Sequence, residues 1–520
     1  MEKNKIYKNI TKIAGSTVIS RLFGYLRDMA TAHFFGSGMI SDAFCIAYRI
    51  PNLLRRLLGE GALISSFVPV YTDYLRRKTE EEQKVFLGTT FSVLCIVLVI
   101  LTILGIIFSP ELVKWFTPGF IDQPDKLNLA ILLTRIMFPF FVAIGVSAFF
   151  MGVLYVHNIF VYPALASCFL NIGQLVFMFS VCPFMKNPII GLAVGVVVGG
   201  GMQALFQLIP IFKEKIKMKF SLDWKNEGLR KVGYLMIPAT IGVSVDQINA
   251  FVDMFFASWL REGSVTALYY SNHLMQLPLA VFGVAVSSVS LPILSKSATY
   301  ENYTVLKEQL MDNLNIMAYF IVPSSIGLII LSTPMVRLLF ERGKFTAVGT
   351  AMSSSALQFF SVGIIAYSTV KIVSTAYYSL KDTKTPVKIA GVCVLSNVIF
   401  SAVLVRYLQV GGLALATALS SFLNASLLMF FLHKKIGNLG LKTGFLNFTK
   451  ILVAGLLMGL VCFCFSKIFS YNKILQVCVP MIFGLISYLV LTYIFRVKEI
   501  HFIMEILRNR MRKKLIKNVE

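Results

Sequence analysis

The chain has 520 residues, 57% of them hydrophobic and only 14% charged, and its mean hydropathy is +0.75. A soluble protein of that length carries about a quarter charged residues, so the soluble classes are set aside. The formal charge of +24 raises nucleic acid as a partner, but the basic residues collect beside apolar runs, as in KEKIKMKF at 213–220. Contact with anionic cytoplasmic lipid fits that placement, and no nucleic-acid partner is expected.

About fourteen runs reach the 18–25 apolar residues that cross roughly 30 Å of hydrocarbon. The prediction is an all-α polytopic membrane protein; a β-barrel would show alternating segments of about ten residues. The basic start, MEKNKIYKNITK, leads to no small-residue cleavage site, so the first run, 8–35, reads as a retained helix. The second, 40–75, holds RIPNLLRRLLGEG (49–61). Runs at 84–109, 127–155, 159–182 and 188–212 complete a first set of six. A second set follows at 227–259, 264–295, 305–331, 347–379, 385–407 and 411–433, and two more runs lie at 444–469 and 474–496. The expected divisions are therefore 1–220, 221–440, 441–496 and a basic tail, 497–520. That tail mixes Ile500, Ile503, Ile506, Leu507 and Met511 with many basic residues, which predicts an amphipathic helix on the inner leaflet. With this span map most of the 49 Lys and Arg fall on one side, and the bias places both termini in the cytoplasm.

The two halves echo each other. RDMATAHFFGSG (27–38) recurs as VDMFFASWLREG (252–263), GALISSFVP (61–69) as GVAVSSVSLP (283–292), and Tyr155…Pro163 as Tyr378…Pro386. Matches in order at near-constant offset indicate an internal repeat. The halves are an even number of spans apart, so the repeat is parallel: two six-helix lobes about an axis along the membrane normal, plus two C-terminal helices.

Charged residues inside the first two runs stand out. On an ideal helix Arg49, Asn52, Arg56 and Glu60 fall in one stripe, with Arg55 pointing away, although Pro51, Gly59 and Gly61 loosen that projection. Arg21 and Asp28 share a face of the first run, and Arg27 is next to Asp28. A centred arginine facing lipid costs roughly 2.5–3.5 kcal/mol. These groups must therefore pair internally, as Arg27 with Asp28 or Arg56 with Glu60, line a wet chamber, or snorkel from near a helix end. Arginines outnumber the carboxylates Asp28, Asp42 and Glu60, and guanidinium forks suit phosphate oxygens. An anionic, phosphate-bearing cargo is the expectation.

No GxxxxGK[ST] is present; in ERGKFT (341–346) Phe345 follows Lys344, so ATP hydrolysis has no loop to run on. The five histidines form no HExxH, and no GxSxG occurs. Eight cysteines without CxxC look like small buried hydrophobes. The reading is a transporter rather than an enzyme, with no cofactor and no tightly bound metal. Coupling to a monovalent cation would use an intramembrane carboxylate, Asp246 or Asp253, with Asn397, Ser401 and Thr417 on later spans. For the neutral groups, helix–helix hydrogen bonding is the alternative.

The run SRLFGYLRDMATAHFFGSGMISDAFCIAYRIPNLLRRLLGEGALISSFVPVY (20–71) resembles the MurJ (MviN) lipid II flippase family of the MOP exporter superfamily. SLPILSK (290–296), GKFT (343–346) and KTPVKIA (384–390) add to the likeness. The resemblance implies alternating access, with lipid II, an undecaprenyl-diphosphate-linked disaccharide-peptide, taken from the inner leaflet and released outside. It implies a bacterial inner-membrane location, a groove for the lipid tail shaped by the last two spans, and cell-wall synthesis proteins as further partners. Functional positions carry over to Arg21, Arg27, Asp28, Asp42, Arg55, Arg56 and Glu60. Where the family commonly has an arginine, YYSNHLMQLP (269–278) has His273; either the second lobe contributes less charge here, or Lys371 or protonated His273 substitutes. The rival readings are a polysaccharide-unit flippase, a cation-coupled drug exporter, a glycan-handling membrane enzyme and an envelope scaffold. A drug exporter would favour cavity carboxylates over arginines.

Overall fold

Local chemistry sets the helix boundaries in the computed structural model, which describes residues 2–55, 61–283, 303–439 and 441–500 together with 286, 290 and 294–297. The first half contains α1 (Glu2–Phe35), α2 (Met39–Leu54), α3 (Ile64–Arg77), α4 (Glu80–Ile107), α5 (Ser109–Phe116), α6 (Pro124–Met137), α7 (Phe140–Val156), α8 (Val161–Ser180) and α9 (Pro188–Lys213). The second contains α10 (Glu227–Ala257), α11 (Ser264–Pro278), α12 (Thr304–Phe340), α13 (Ala347–Ser379), α14 (Lys384–Ile436), α15 (Leu441–Ile468) and α16 (Leu475–Ile494). No strand occurs among the described residues.

Several ends follow capping rules. Thr79 and Glu82 form a reciprocal capping box that starts α4. Pro124 and Pro188 open α6 and α9 at positions whose N–H has no helical partner. Breaks also divide some single predicted runs. The run 40–75 splits into α2 and α3, with Arg55 and residues 61–63 in wider, π-type turns, next to Pro51 and the glycines. The run 127–155 splits at Phe138 and Pro139. At 53 residues α14 would extend about 80 Å if straight, far beyond a bilayer. Gln409, at φ 48 and ψ −124, breaks it, and the break falls between the two predicted runs.

Nine helical stretches among the described residues are long and apolar enough to cross a membrane. α1 and α10 are as long but carry Arg21, Arg27 and Asp28, and Asp246 and Asp253, respectively. The chain is an all-α polytopic membrane protein.

By its internal contacts it divides into two units, Met1–Thr266 with Arg342–Thr346, and Ala267–Glu341 with Ala347–Glu520. The first is centred on stacked aromatics from α3, α4 and α7: Phe67 lies 5.8 Å from Phe86 and 5.1 Å from Phe149. Its helices α8 and α9 touch through glycine, and a Cβ on Gly173 would come within 2.5 Å of Gly199 Cα, the small-residue contact that lets membrane helices approach closely. In the second unit Gly455 and Gly459 of α15 receive Ile326 and Ile330 of α12 in the same way. Tyr488 of α16 donates its hydroxyl to the Tyr319 carbonyl at 2.7 Å.

Candidate functional site

Arg27 and Asp28 sit on α1 as a buried ion pair. Arg27 Nη2 and Nε donate to Asp28 Oδ1 at 2.6 and 3.1 Å, and the side chains are only 8% and 3% exposed. One turn on, Thr31 donates to the Arg27 carbonyl at 2.9 Å. Arg21, two turns earlier on α1, is half-buried. On α2 Arg49 and Asn52 are half-buried, and so is Arg55 just past its end. Cys45, buried on α2, lies within Coulombic reach of Asp28, Asp42 and Arg49, which places charges of α1 and α2 in one neighbourhood. Arg56 and Glu60 lie outside the described residues.

Asp42 has a different setting. Its carboxylate is fully buried and receives four donors. Lys126 Nζ of α6 lies 2.9 Å from Oδ2, and the Gly263 N–H reaches the same oxygen at 2.8 Å. The Thr266 N–H and hydroxyl reach Oδ1 at 2.9 and 2.7 Å. The first turns of α2, α6 and α11 thus meet at one carboxylate, which also complements the positive end of α11. Gly263 holds φ +87, a conformation that glycine adopts without strain. Lys126, Gly263 and Thr266 escaped the sequence reading. Lys126 carried a signal, being a lysine at the head of an apolar run (PDKLNLA), and Gly263 carried another as the repeat partner of Gly38.

In the second unit His273 lies half-buried on α11 with its ring 4.3 Å from that of Tyr269. Lys371 is exposed on α13. Asn397 and Ser401, fully buried one turn apart on α14, meet at 3.5 Å, Ser401 donating to Asn397 Oδ1; Thr417 is half-buried further along. Asp253 is half-buried on α10 and belongs to the first unit. The Asp246 side chain lies outside the described residues. An apolar groove of about 460 Å³ runs between α12, α13 and α15, lined by Met311, Leu314, Ala318, Ile321, Ile365, Ser368, Thr369, Phe445 and Phe448 among others.

The family model described as lipid II flippase MurJ matches residues 31–484. The chain belongs to the MurJ lipid II flippase family. A probable lipid II flippase MurJ of Buchnera aphidicola subsp. Schizaphis graminum is 36% identical over 456 residues, which is 87% of this chain and 88% of that protein. A solved lipid II flippase MurJ in an inward closed conformation superposes with a TM-score of 0.79 at 30% identity, covering 93% of this chain and 98% of its own. An inward-facing multidrug resistance MATE transporter of the MOP superfamily gives 0.66 at 15% identity, covering 81% and 95%, a likeness of fold alone. MurJ membership makes this chain one of a family of transporters. The match runs from Thr31 to residue 484, within α16.

Proposed function

We propose that the chain carries lipid II from the inner to the outer leaflet of the bacterial cytoplasmic membrane by alternating access. The likeness over 93% of its length to a solved lipid II flippase carries this reading. The chemistry of α1 and α2 agrees with it: Arg21, Arg27, Arg49 and Arg55 present guanidinium groups that grip a diphosphate in two-pronged geometry. The groove between α12, α13 and α15 is mostly apolar, with Asn315, Ser368 and Thr369 in its lining, and takes part of the prenyl tail. Both termini lie in the cytoplasm, following the excess of basic residues on that side. Outward movement draws on a monovalent cation held through Asp253, with Asp246, Asn397, Ser401 and Thr417 as further candidates. Within the second unit, His273 or Lys371 is the candidate for added positive charge.

The deciding experiment follows labelled lipid II across the membrane of cells depleted of this protein. Outward movement should stop on depletion and return with the wild-type gene; undiminished movement in its absence would end the proposal. Imposed cation gradients in the same cells, compared between wild type and Asp253→Asn, test the coupling separately.

A further inference from the structure

Between α9 and α10 the chain runs through residues 214–226 without forming a helix, as a strap laid along α4. Lys219 N–H donates to the Lys84 carbonyl at 3.0 Å, the hydroxyls of Thr89 and Ser221 hydrogen-bond, and the Phe220 ring lies 6.0 Å from that of Phe91. Gly88 makes the approach feasible, because a Cβ there would collide with the Lys219 carbonyl. The strap is thus fastened by its backbone, by Ser221 and by Ile216 and Met218, which pack against the aromatic core, leaving its lysines and Phe220, Leu222 and Trp224 exposed. Phe220, Leu222 and Trp224 are 68%, 59% and 56% exposed. Lys215, Lys217 and Lys219 precede them, Lys225 follows, and all four are exposed too. The acids are fewer: Glu214, and Asp223, whose Oδ1 accepts from the Lys225 N–H. Lys219 also lies 3.9 Å from Glu81, an exposed pair of little strength.

α4 supplies a depth scale. Its exposed first turn is Glu80, Glu81 and Glu82, Lys84 follows, and no charged residue occurs from there to Ile107. Phe91 is seven residues beyond Lys84, about 10 Å along the helix axis. A ring beside Phe91 therefore sits at the boundary between headgroups and acyl chains, where aromatic residues and the apolar faces of surface segments settle. A water-borne protein partner would not meet a ring at that depth. Anionic lipid would, and its phosphates complement the lysines.

We propose that the 214–226 strap is a membrane-interface anchor for anionic phospholipid, with Phe220, Leu222 and Trp224 entering the headgroup boundary and the four lysines holding phosphates. It fixes the start of α10 at the bilayer surface and needs only the polytopic fold, not the identity of the cargo. The test uses the full chain with Trp115→Phe and Trp259→Phe, leaving Trp224 as the sole tryptophan, in mixed phosphatidylcholine and phosphatidylglycerol vesicles. One lipid at a time carries brominated acyl chains. Trp224 fluorescence should be quenched, and more strongly by brominated phosphatidylglycerol. Each Lys→Gln change at 215, 217, 219 or 225 should lower that preference by up to about fivefold, and high salt or all four together should bring it near parity. Since these lysines are exposed, the variants should fold, and retained Trp224 quenching by brominated phosphatidylcholine would report insertion. Trp224 emission unaffected by either lipid, or quenched equally by both whatever the lysines, would overturn the proposal.

Discussion

At Asp42 and Lys126 the protein buries a carboxylate and an ammonium that are each about 1% exposed. Such a pair is a weak source of net stability, but removing one member strands the other charge, at roughly 3–5 kcal/mol. Asp42→Asn should therefore lower the melting temperature of the purified protein sharply, while its side-chain oxygen can still accept from Thr266. Adding Lys126→Met should recover part of the loss, since an apolar side chain then replaces the stranded ammonium. A parental melting temperature for the single variant would show that the junction of α2, α6 and α11 does not depend on this pair. Arg27 poses the opposite question, because its bond to Asp28 can be structural or can await a cargo anion. Arg27→Ala should abolish complementation of a depleted strain while insertion persists. The double variant Arg27→Ala/Asp28→Asn separates the two roles: it removes the stranded carboxylate, so stability should return while growth does not. Growth restored by the double variant would assign Arg27 to structure alone.

Among the elements, the turn between α13 and α14 shows how short connections are held. Asp382 accepts from the Thr385 N–H at 3.0 Å and the Thr385 hydroxyl at 2.8 Å, capping α14. It also bonds Lys435 near the far end of the same helical segment. Partial burial pushes the Asp382 carboxyl up, but hydrogen bonds from Lys435 and Thr385 outweigh it and hold the group at about 2, below its ordinary 3.8. A lowered folded-state value means a contribution present above pH 3.8 and lost as pH falls towards 2. With solvent screening it is worth on the order of 1 kcal/mol. The melting temperature of Asp382→Asn should thus lie below that of the parent at pH 5, and the gap should close on acidification through that window. A gap independent of pH would place the stabilisation elsewhere. The helical segment itself was legible from sequence: apolar runs at 385–407 and 411–433 bracket Gln409, where the backbone turns to positive φ. Less legible was the split of 40–75 into α2 and α3, since Pro51 announces a disturbance without saying where the helix stops.

For the molecule as a whole, spans were readable because a bilayer demands length and apolarity, both local properties of the chain. Arg27 and Asp28 were readable as a pair because they are neighbours. The Asp42 junction was not, since Lys126, Gly263 and Thr266 lie 84, 221 and 224 residues away, and only the folded chain brings them together. The groove between α12, α13 and α15 was not legible either, family resemblance having implied only a tail groove shaped by the last two spans. It draws one wall from α15 and two from helices that the sequence assigned to a lobe. Its walls carry Ala318 and Ser368, small side chains whose enlargement narrows the channel without adding charge. Ala318→Trp and Ser368→Phe should therefore slow movement of lipid II with its full prenyl chain and leave a short-chain analogue bearing the same diphosphate-sugar headgroup nearly unaffected. Chain length is the discriminating variable: burial contributes about 0.8 kcal/mol per methylene, so only a tail long enough to enter the groove feels the obstruction. Equal slowing of both substrates would trace the effect to the headgroup site or to folding, and equal transport of both would remove the tail from this groove.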